Sequence, residues 1–405
     1  MQKYVINNNK NTNVGDFQIR DSVIDTLKAR FRTYGYKQVR TSTFESYDMY
    51  SDISGTINRD EMIKVIDTSG KVLVLRPDVT IPLTRTMALN TQEKYERLFY
   101  VLDVFRQSQE QMDQKESTQA GIECFGKNAP EIDSEVILLA IHTLKDLGFT
   151  NFKIEVGHAG FFKELIQHTN LNKHELDVLQ TLIQTKNLIE IEPFLNKLSI
   201  EERIQKAIQS IPMMYGNPEY VMKQAETIII NEKMEHILQN LMDVYQVLRA
   251  YGMEEYVHFN LGLINNMNYY SGIIFQGFVD SVGKPILMGG RYDHLSTQFN
   301  RSIPAVGFAF EVDLLIHALI QQELVKRPSS LVDINIDYVE EKQAEALQSA
   351  YQLRDLGYQV LIRSTQEAKY LIKFAKEDNR LKSDNVDQAF NQPSELISLL
   401  KKESI

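Results

Sequence analysis

The stretch YYSGIIFQGFVDSVGKPILMGGRY, residues 269–292, predicts two strands joined by a short polar turn. A third strand, YVHFNLGLI at residues 256–264, is predicted just before it. Strands that follow one another through short connections pair antiparallel, because a parallel crossover needs about a dozen residues or more. The stretch therefore favours an antiparallel sheet and disfavours a doubly wound nucleotide-binding fold.

Helices and further strands surround this stretch. From Asp21 onward apolar residues fall on one helical stripe, which Asp21 or Ser22 would cap and which Gly35 follows. Other predicted strands are YKQVRTSTF, RLFYVLDVFRQ and TQAGIECFG. A helix is predicted in SEVILLAIHTLKDLG, and a strand that enters a long helix is predicted in IPAVGFAFEVDLLIHALIQQEL. The pattern predicts an α+β fold in which helices flank an antiparallel sheet.

The chain is long enough for more than one domain. Residues 163 to about 254 carry few strand signals and much helical apolar spacing, so we predict a helical insertion there. After the linker VKRPSS the pattern becomes strand, helix, strand. We therefore predict a core domain at residues 1–325 and a small α/β domain at residues 326–405.

Composition excludes several classes of protein. The 405 residues carry a formal net charge of −10, which argues against nonspecific attraction to nucleic acid. Cys124, the single cysteine, excludes an internal disulfide and a zinc site built on paired cysteines. Neither a signal peptide nor a long apolar run is visible, so we expect a cytoplasmic protein without membrane contact.

Searches for common catalytic and phosphate-binding motifs fail. No G-x-G-x-x-G is present, and GFVDSVGKP has Pro285 where a phosphate loop needs a hydroxyl residue. The acidic stretch INIDYVEEKQAEA lacks the turn that a phosphoribosyl-diphosphate site requires. The eight histidines show no ligand spacing, so no metal or cofactor is predicted. His158, in VGHAGFF, either faces a pocket or interface or forms part of a plain turn.

Four segments, in order, resemble the catalytic core of histidyl-tRNA synthetases, which have a class II antiparallel fold. They are RFRTYGYKQVRTSTFE, with Ser42 at the usual proline; LRPDVTIPLTR; FYVLDVFR with TQAGIECFG; and GLINNMNYYSGIIF followed by GGRYDHL and PAVGFAFEVDLL. The resemblance covers about residues 15–320. Residues 331–405 resemble a shortened anticodon-binding domain.

The departures from the synthetase pattern concern positive charge. Asn265 and Leu314 stand where that pattern has arginines, and the loop QSQEQMDQKEST contains Lys115 and no arginine. Of the cationic residues that handle phosphate in the synthetase pattern, Arg106 is retained. Adenylation needs cations on the phosphates, and an amide cannot replace a guanidinium there at equal energy. The resemblance therefore implies a chain without catalytic residues of its own.

The parts that hold the free amino acid in synthetases are better preserved. The residues expected to line a histidine-like pocket are Asp78, Thr80, Arg106, Gln119, Glu123, Tyr269 and Tyr270. Alternatives exist for three positions: Asp78 could cap a turn, Glu123 could pair across strands, and one of two adjacent strand tyrosines should face away. The amides Asn265, Asn266 and Asn268 lie where a turn leads into the strand.

This combination resembles the regulatory subunits of ATP phosphoribosyltransferase. The resemblance implies that the chain joins a short catalytic subunit in a hetero-octamer, dimerises through its synthetase-like core, and transmits feedback by L-histidine in histidine biosynthesis. Residues 326–405 carry 12 Lys+Arg against 13 Asp+Glu, which does not favour tRNA binding. The alternatives are a histidyl-tRNA synthetase with an unusual site and an amino-acid sensor with another partner.

Overall fold

The computed structural model describes residues 14–51, 58–90, 95–107, 115–264, 269–325, 332–383 and 386–403. The chain divides into two compact units, of which the larger contains residues 17–326 and the smaller contains residues 327–405. No helix within the described ranges is long and apolar enough to cross a bilayer.

The larger unit is built on a sheet in which nine strands of the described residues pair side by side. In spatial order they are β1 (Lys37–Gln38), β5 (Glu96–Phe105), β6 (Glu116–Phe125), β12 (Ala305–Glu311), β11 (Leu287–Arg291), β10 (Ile273–Val279), β7 (Phe152–His158), β9 (Val257–Asn260) and β8 (Tyr215–Gly216). The predicted antiparallel pairing of β10 with β11 is confirmed, and the other central strands also pair antiparallel. The expected pairing of β9 with β10 is wrong, because β7 lies between them and pairs parallel with β9, and β1–β5 is parallel as well. The sheet is therefore mixed, with an antiparallel centre.

A small antiparallel sheet and several helices complete this unit. The sheet contains β2 (Phe44–Ser46), β4 (Val72–Leu75) and β3 (Lys64–Ile66). The helices outside the insertion are α1 (Val14–Thr33), α2 (Tyr47–Ser51), α3 (Thr80–Leu89), α4 (Pro130–Asp146) and α11 (Val312–Gln321). The expected start of the first helix at Asp21 or Ser22 is wrong. Helix α1 is already formed at Val14, and its buried stripe includes Ile19, which precedes the predicted start, and continues through Val23, Leu27 and Phe31.

Helices dominate the region between β7 and β9. They are α5 (Ala159–Gln167), α6 (Lys173–Gln184), α7 (Leu188–Leu195), α8 (Glu202–Ser210), α9 (Pro218–Glu226) and α10 (Glu232–Ala250). Local chemistry starts several of them: Asn172 and Glu175 form a capping box on α6, and the Asn231 side chain accepts the Met234 N–H at the start of α10.

The two faces of the large sheet bury different clusters. Along β10, Ile273 and Phe275 join the larger hydrophobic cluster, while Ile274 points to the second one. This is the alternation that a strand imposes on successive side chains. The second cluster surrounds the cavity described below.

The smaller unit has its own core. Its elements are β13 (Val332–Tyr338), α12 (Gln343–Asp355), β14 (Val360–Ile362), β15 (Ala368–Phe374), β16 (Asn379–Lys382), β17 (Asp387–Phe390) and α13 (Pro393–Glu403). The strands pair in the order β14-β13-β15-β16-β17. Buried Ala346 and Leu353 of α12 and Leu396 of α13 pack with Ile334 and Ile372 of the sheet.

Candidate ligand-binding site

A cavity of about 190 Å³ lies against the large sheet, between strands β5, β6, β11 and β12 and the start of α3. Its volume far exceeds the roughly 10–15 Å³ that one water needs. All seven residues predicted from the sequence contribute to its lining: Asp78, Thr80, Arg106, Gln119, Glu123, Tyr269 and Tyr270. Segments that are distant in the sequence therefore meet in one small-molecule pocket.

Glu123, on β6, lies at the centre of a buried hydrogen-bond network. The Thr80 hydroxyl donates to its Oε1 atom at 2.6 Å, and the Tyr292 hydroxyl donates to Oε2. Burial raises the pKa of Glu123 to about 8, and the two hydroxyl groups offset only part of this effect. Its direct neighbours across the strands are Leu98 and Gly307, which have no polar side chain, so the alternative that Glu123 pairs across strands is wrong.

Asp78 combines two roles that the sequence left as alternatives. Its Oδ1 atom accepts the backbone N–H of Ile81 at 2.7 Å, which stabilises the first turn of α3. The same side chain lines the cavity. Burial raises the pKa of Asp78, although the Ile81 bond and the charge of Arg106 act in the opposite direction. Asp78 is therefore a cap and a pocket residue at once.

Arg106 and Gln119 line the cavity together with Glu311. Arg106 Nε donates to the carbonyl of Pro77 at 2.7 Å. Gln119 and Glu311 are direct partners in the β6–β12 register, and Gln119 Nε2 donates to Glu311 Oε1 at 2.7 Å. Burial raises the pKa of Glu311, while Gln119 and Arg106 partly counteract it.

Tyr269 and Tyr270 both line the cavity, so the expectation that one of them faces away is wrong. The reason is that β10 begins at Ile273, and the two tyrosines precede it in irregular backbone where strand alternation does not apply. Their rings meet edge to face at 4.8 Å, and Tyr269 stacks on Tyr292 at 5.3 Å. The amides Asn265, Asn266 and Asn268 lie outside the described residues.

Three lining residues with ionisable side chains were not singled out from the sequence: Tyr100, Tyr292 and Glu311. Each lies inside a quoted motif, but the positions of Tyr100 and Glu311 beside Gln119 and Glu123 depend on the pairing of β5 and β12 with β6, for which the sequence has no local signal. Glycine makes room for this chemistry, because a Cβ at Gly307 would collide with the Glu123 carboxylate and one at Gly121 with the Tyr100 ring.

His158 is the N-cap of α5 and is not among the cavity's lining residues. Its Nδ1 atom accepts the Gly160 N–H at 3.0 Å, and burial lowers its pKa to about 4. The alternative of a turn residue is thus closer to the structure than a pocket role. Nearby, Lys163 Nζ donates to the carbonyl of Tyr270 at 2.8 Å and so links α5 to the cavity wall.

The lining can hold a small polar ligand that carries positive charge. Three carboxyl groups, from Asp78, Glu123 and Glu311, face a cavity in which Arg106 is the one cation among the described lining residues. Within the described part of the chain no group of His, Cys, Asp and Glu has an arrangement suited to a metal ion. The chemistry available is therefore hydrogen bonding and charge complementarity around an aromatic wall.

Comparisons with known proteins place this geometry in a family. The histidyl-tRNA synthetase family profile matches residues 14–315. A protein of Oceanobacillus iheyensis named ATP phosphoribosyltransferase regulatory subunit is 46% identical over 396 residues, which cover 96% of each chain. A protein of Acetivibrio thermocellus with the same name is 37% identical, covering 83% of this chain and 81% of its own.

Solved structures agree with these sequence relatives. A Bacillus halodurans protein described as an ATP phosphoribosyltransferase regulatory subunit/histidyl-tRNA synthetase superposes with a TM-score of 0.79 at 28% identity, covering 89% of this chain and 94% of that one. The histidyl-tRNA synthetase of Nostoc sp. PCC 7120 gives 0.80 at 17% identity, over 95% and 96% of the two chains, which supports the fold alone. The class II synthetase-like fold is thus confirmed, and the chain belongs to the family of ATP phosphoribosyltransferase regulatory subunits, built on a histidyl-tRNA synthetase-like domain.

Proposed function

We propose that this chain is the noncatalytic regulatory subunit of ATP phosphoribosyltransferase in histidine biosynthesis. It joins the short catalytic subunit, activates it, and transmits feedback inhibition by L-histidine. The relatives that carry this name at 46% and 37% identity support the assignment. The resemblance further supports a cytoplasmic hetero-octamer whose regulatory chains pair through the synthetase-like core, without tRNA.

The observation that carries the proposal is the cavity that the seven expected residues line together. In the proposed pose, Asp78 receives the ammonium group of histidine and Arg106 receives its carboxylate. Glu123, held by hydroxyls from Thr80 and Tyr292, accepts the imidazole N–H. Tyr269 and Tyr270 enclose the ring. The two ends of a free histidine thus meet opposite charges, which is the complementarity that orients a small ligand.

Assembly and feedback are tested together by reconstitution. The purified chain is mixed with the short catalytic subunit, and transfer of the phosphoribosyl group to ATP is followed with and without histidine. We expect activity to rise on mixing and to fall when histidine is added, and we expect Asp78→Asn to retain activation while losing the response to histidine. Because binding and regulation are linked, histidine must also change the affinity between the two subunits.

Two outcomes would redirect the assignment. Histidine binding without any association with the catalytic subunit would favour an amino-acid sensor with another partner. Histidine-dependent exchange of pyrophosphate with ATP by the chain alone would favour a synthetase. A lack of activation on mixing would contradict the proposal directly.

A further inference from the structure

Glu311 differs from the other two carboxyl groups of the cavity in what it contacts. Asp78 accepts the Ile81 N–H, and Glu123 accepts hydroxyl groups on both oxygens. Glu311 accepts Gln119 Nε2 on Oε1, and its Oε2 atom has no hydrogen-bond partner among the described residues. One carboxylate oxygen of this half-buried side chain is thus available to whatever enters the cavity.

The position of Glu311 relative to Arg106 gives that oxygen its significance. Both residues line the cavity, and the charge of Arg106 stabilises the ionised form of Glu311. Arg106 is the single cation among the described lining residues, so it is the natural anchor for an anion. Glu311 places a negative charge in the field of that anchor.

A phosphate group entering this cavity would meet the carboxyl groups of Asp78 and Glu311 and one guanidinium, because burial raises the pKa of Glu123 to about 8 and keeps that group mostly protonated at neutral pH. Like charges at short range in a partly buried site repel strongly, because little water is present to screen them. A free amino acid avoids this penalty, since it carries an ammonium group that the acids attract. The lining therefore discriminates between ligands by their net charge.

We propose that Glu311 is a specificity-determining residue that excludes phosphate-bearing ligands and reserves the cavity for a small ligand with a cationic group. Its negative charge reduces the positive electrostatic potential of Arg106, which would otherwise attract a phosphate. This inference rests on the proposed function for the identity of the amino-acid ligand. The exclusion of phosphate depends only on the cavity.

The test uses the full-length chain and the variant Glu311→Gln. The amide keeps the shape of the side chain and an oxygen that accepts the Gln119 hydrogen bond, so it removes the charge alone. Inorganic pyrophosphate, adenosine and histidine are titrated separately by calorimetry. We expect pyrophosphate to bind the variant at least about tenfold more tightly than the original chain, histidine to bind no more tightly because one acid that attracts its ammonium group is lost, and adenosine to be unchanged.

Two control variants test whether the effect is specific to the charge at position 311. Glu311→Asp keeps the charge and should exclude pyrophosphate like the original chain. Glu116→Gln removes an exposed acid from the same β6 strand that carries Gln119, outside the cavity lining, and should leave all three affinities unchanged. An equal gain in Glu116→Gln would mean that overall charge is responsible, which would overturn the proposal. Identical pyrophosphate affinity in Glu311→Gln and the original chain would overturn it as well.

A second measurement needs no folded variant. In the original chain, histidinol should bind at least about tenfold more tightly than histidinol phosphate, because the added phosphate meets Glu311. Equal affinities would contradict the proposed exclusion. Absence of histidine binding with pyrophosphate still excluded would instead count against the proposed function and leave the role of Glu311 standing.

Discussion

Two buried polar clusters of the large unit differ in charge balance. In the first, Arg291 contacts Asp133 at 2.7 Å and Asp293 at 3.0 Å, and its side chain and that of Asp133 are 3% and 1% exposed. In the second, the carboxyl groups of Asp78, Glu123 and Glu311 surround a cavity with one guanidinium. The Arg291 cluster is filled by its own partners, whereas the cavity cluster leaves space and unbalanced charge.

The difference separates groups that hold the fold from groups that await a ligand. Burial lowers the pKa of Arg291, but Asp133 and Asp293 outweigh it and the net shift is upward. A bidentate guanidinium–carboxylate pair satisfies both groups at once. Burial still raises the pKa of Asp133, to about 6, but its charge is met by a guanidinium at 2.7 Å. In the cavity cluster, desolvation raises the pKa values of all three carboxyl groups. A cationic ligand would relieve that cost, which the protein does not relieve by itself.

The largest expected effect comes from breaking the balanced cluster. Arg291→Met leaves Asp133 buried without its partner, which should destabilise the fold by about 3–5 kcal/mol. Denaturant unfolding measures this loss. The matched control is Arg249→Met, because Arg249 forms an exposed pair with Glu219 at 3.7 Å. That change should cost no more than about 1 kcal/mol. Similar losses in the two variants would remove the distinction between buried and exposed pairs.

The second effect separates ligand binding from capping at Asp78. Asparagine at this position still accepts the Ile81 N–H, so Asp78→Asn should change the free energy of unfolding by only a few tenths of a kcal/mol. It lacks the charge for an ammonium group, so histidine affinity should fall at least about tenfold, or about 1.4 kcal/mol. Calorimetry and thermal unfolding on the same samples check both halves.

Asp78→Ala provides the comparison, since alanine removes the cap as well. It should lose histidine binding and also about 1 kcal/mol of stability. If Asp78→Asn bound histidine normally while Asp78→Ala did not, the role of Asp78 would be the local geometry of α3 and not charge.

The carboxyl groups of the two clusters affect stability over different pH ranges. The pKa of Glu123 rises from an ordinary 4.5 to about 8 on folding, so between these values the folded chain holds a proton that the unfolded chain has lost. The stability from this group is complete below pH 4.5, declines as pH rises, and is gone above about pH 8. Burial raises the pKa of Asp133 only to about 6, so the stability that depends on this group is already lost at a lower pH.

Glu123→Gln should therefore flatten the decline in stability between pH 6 and pH 8, where the original chain loses up to about 1.4 kcal/mol per pH unit through this group. Urea unfolding at intervals of half a pH unit measures the slope. Glu226→Gln, which changes an exposed acid at the end of α9 outside the cavity lining, is the control and should leave the slope unchanged. A steeper slope in Glu123→Gln would contradict the assigned direction.

Much of the fold could be predicted because it depends on local patterns. The short connection between β10 and β11 favoured their antiparallel pairing, and the apolar stripe of α4 gave its buried face. The other neighbour of β10 is β7, which is distant in the sequence, so the connection from β9 to β10 was misleading. The parallel pairs β1–β5 and β7–β9 join segments far apart in sequence, for which no local signal exists. The start of α1 was missed because Phe17 is 57% exposed in a polar segment, where Ile19 alone continues the stripe.

The site could be predicted where a motif carried a polar or charged side chain, and it could not be predicted where irregular backbone or long-range strand pairing placed the residue. Asp78, Gln119 and Glu123 follow from their motifs and line the cavity. The shared orientation of Tyr269 and Tyr270 depends on where β10 begins, which a run of strand-forming residues conceals. The role of Glu311 depends on its register opposite Gln119, a long-range pairing.

The smallest expected effect concerns His158, at the strand–helix junction beside the cavity. As the N-cap of α5, its imidazole satisfies the Gly160 N–H, so His158→Ala should cost about 1 kcal/mol of stability, while His158→Asn should restore most of it. Neither change should alter histidine affinity, because His158 does not line the cavity. A loss of histidine affinity in His158→Asn, with stability intact, would show that α5 contributes to ligand binding. Lys163 of α5 donates to the Tyr270 carbonyl, and this hydrogen bond would then connect α5 to the cavity.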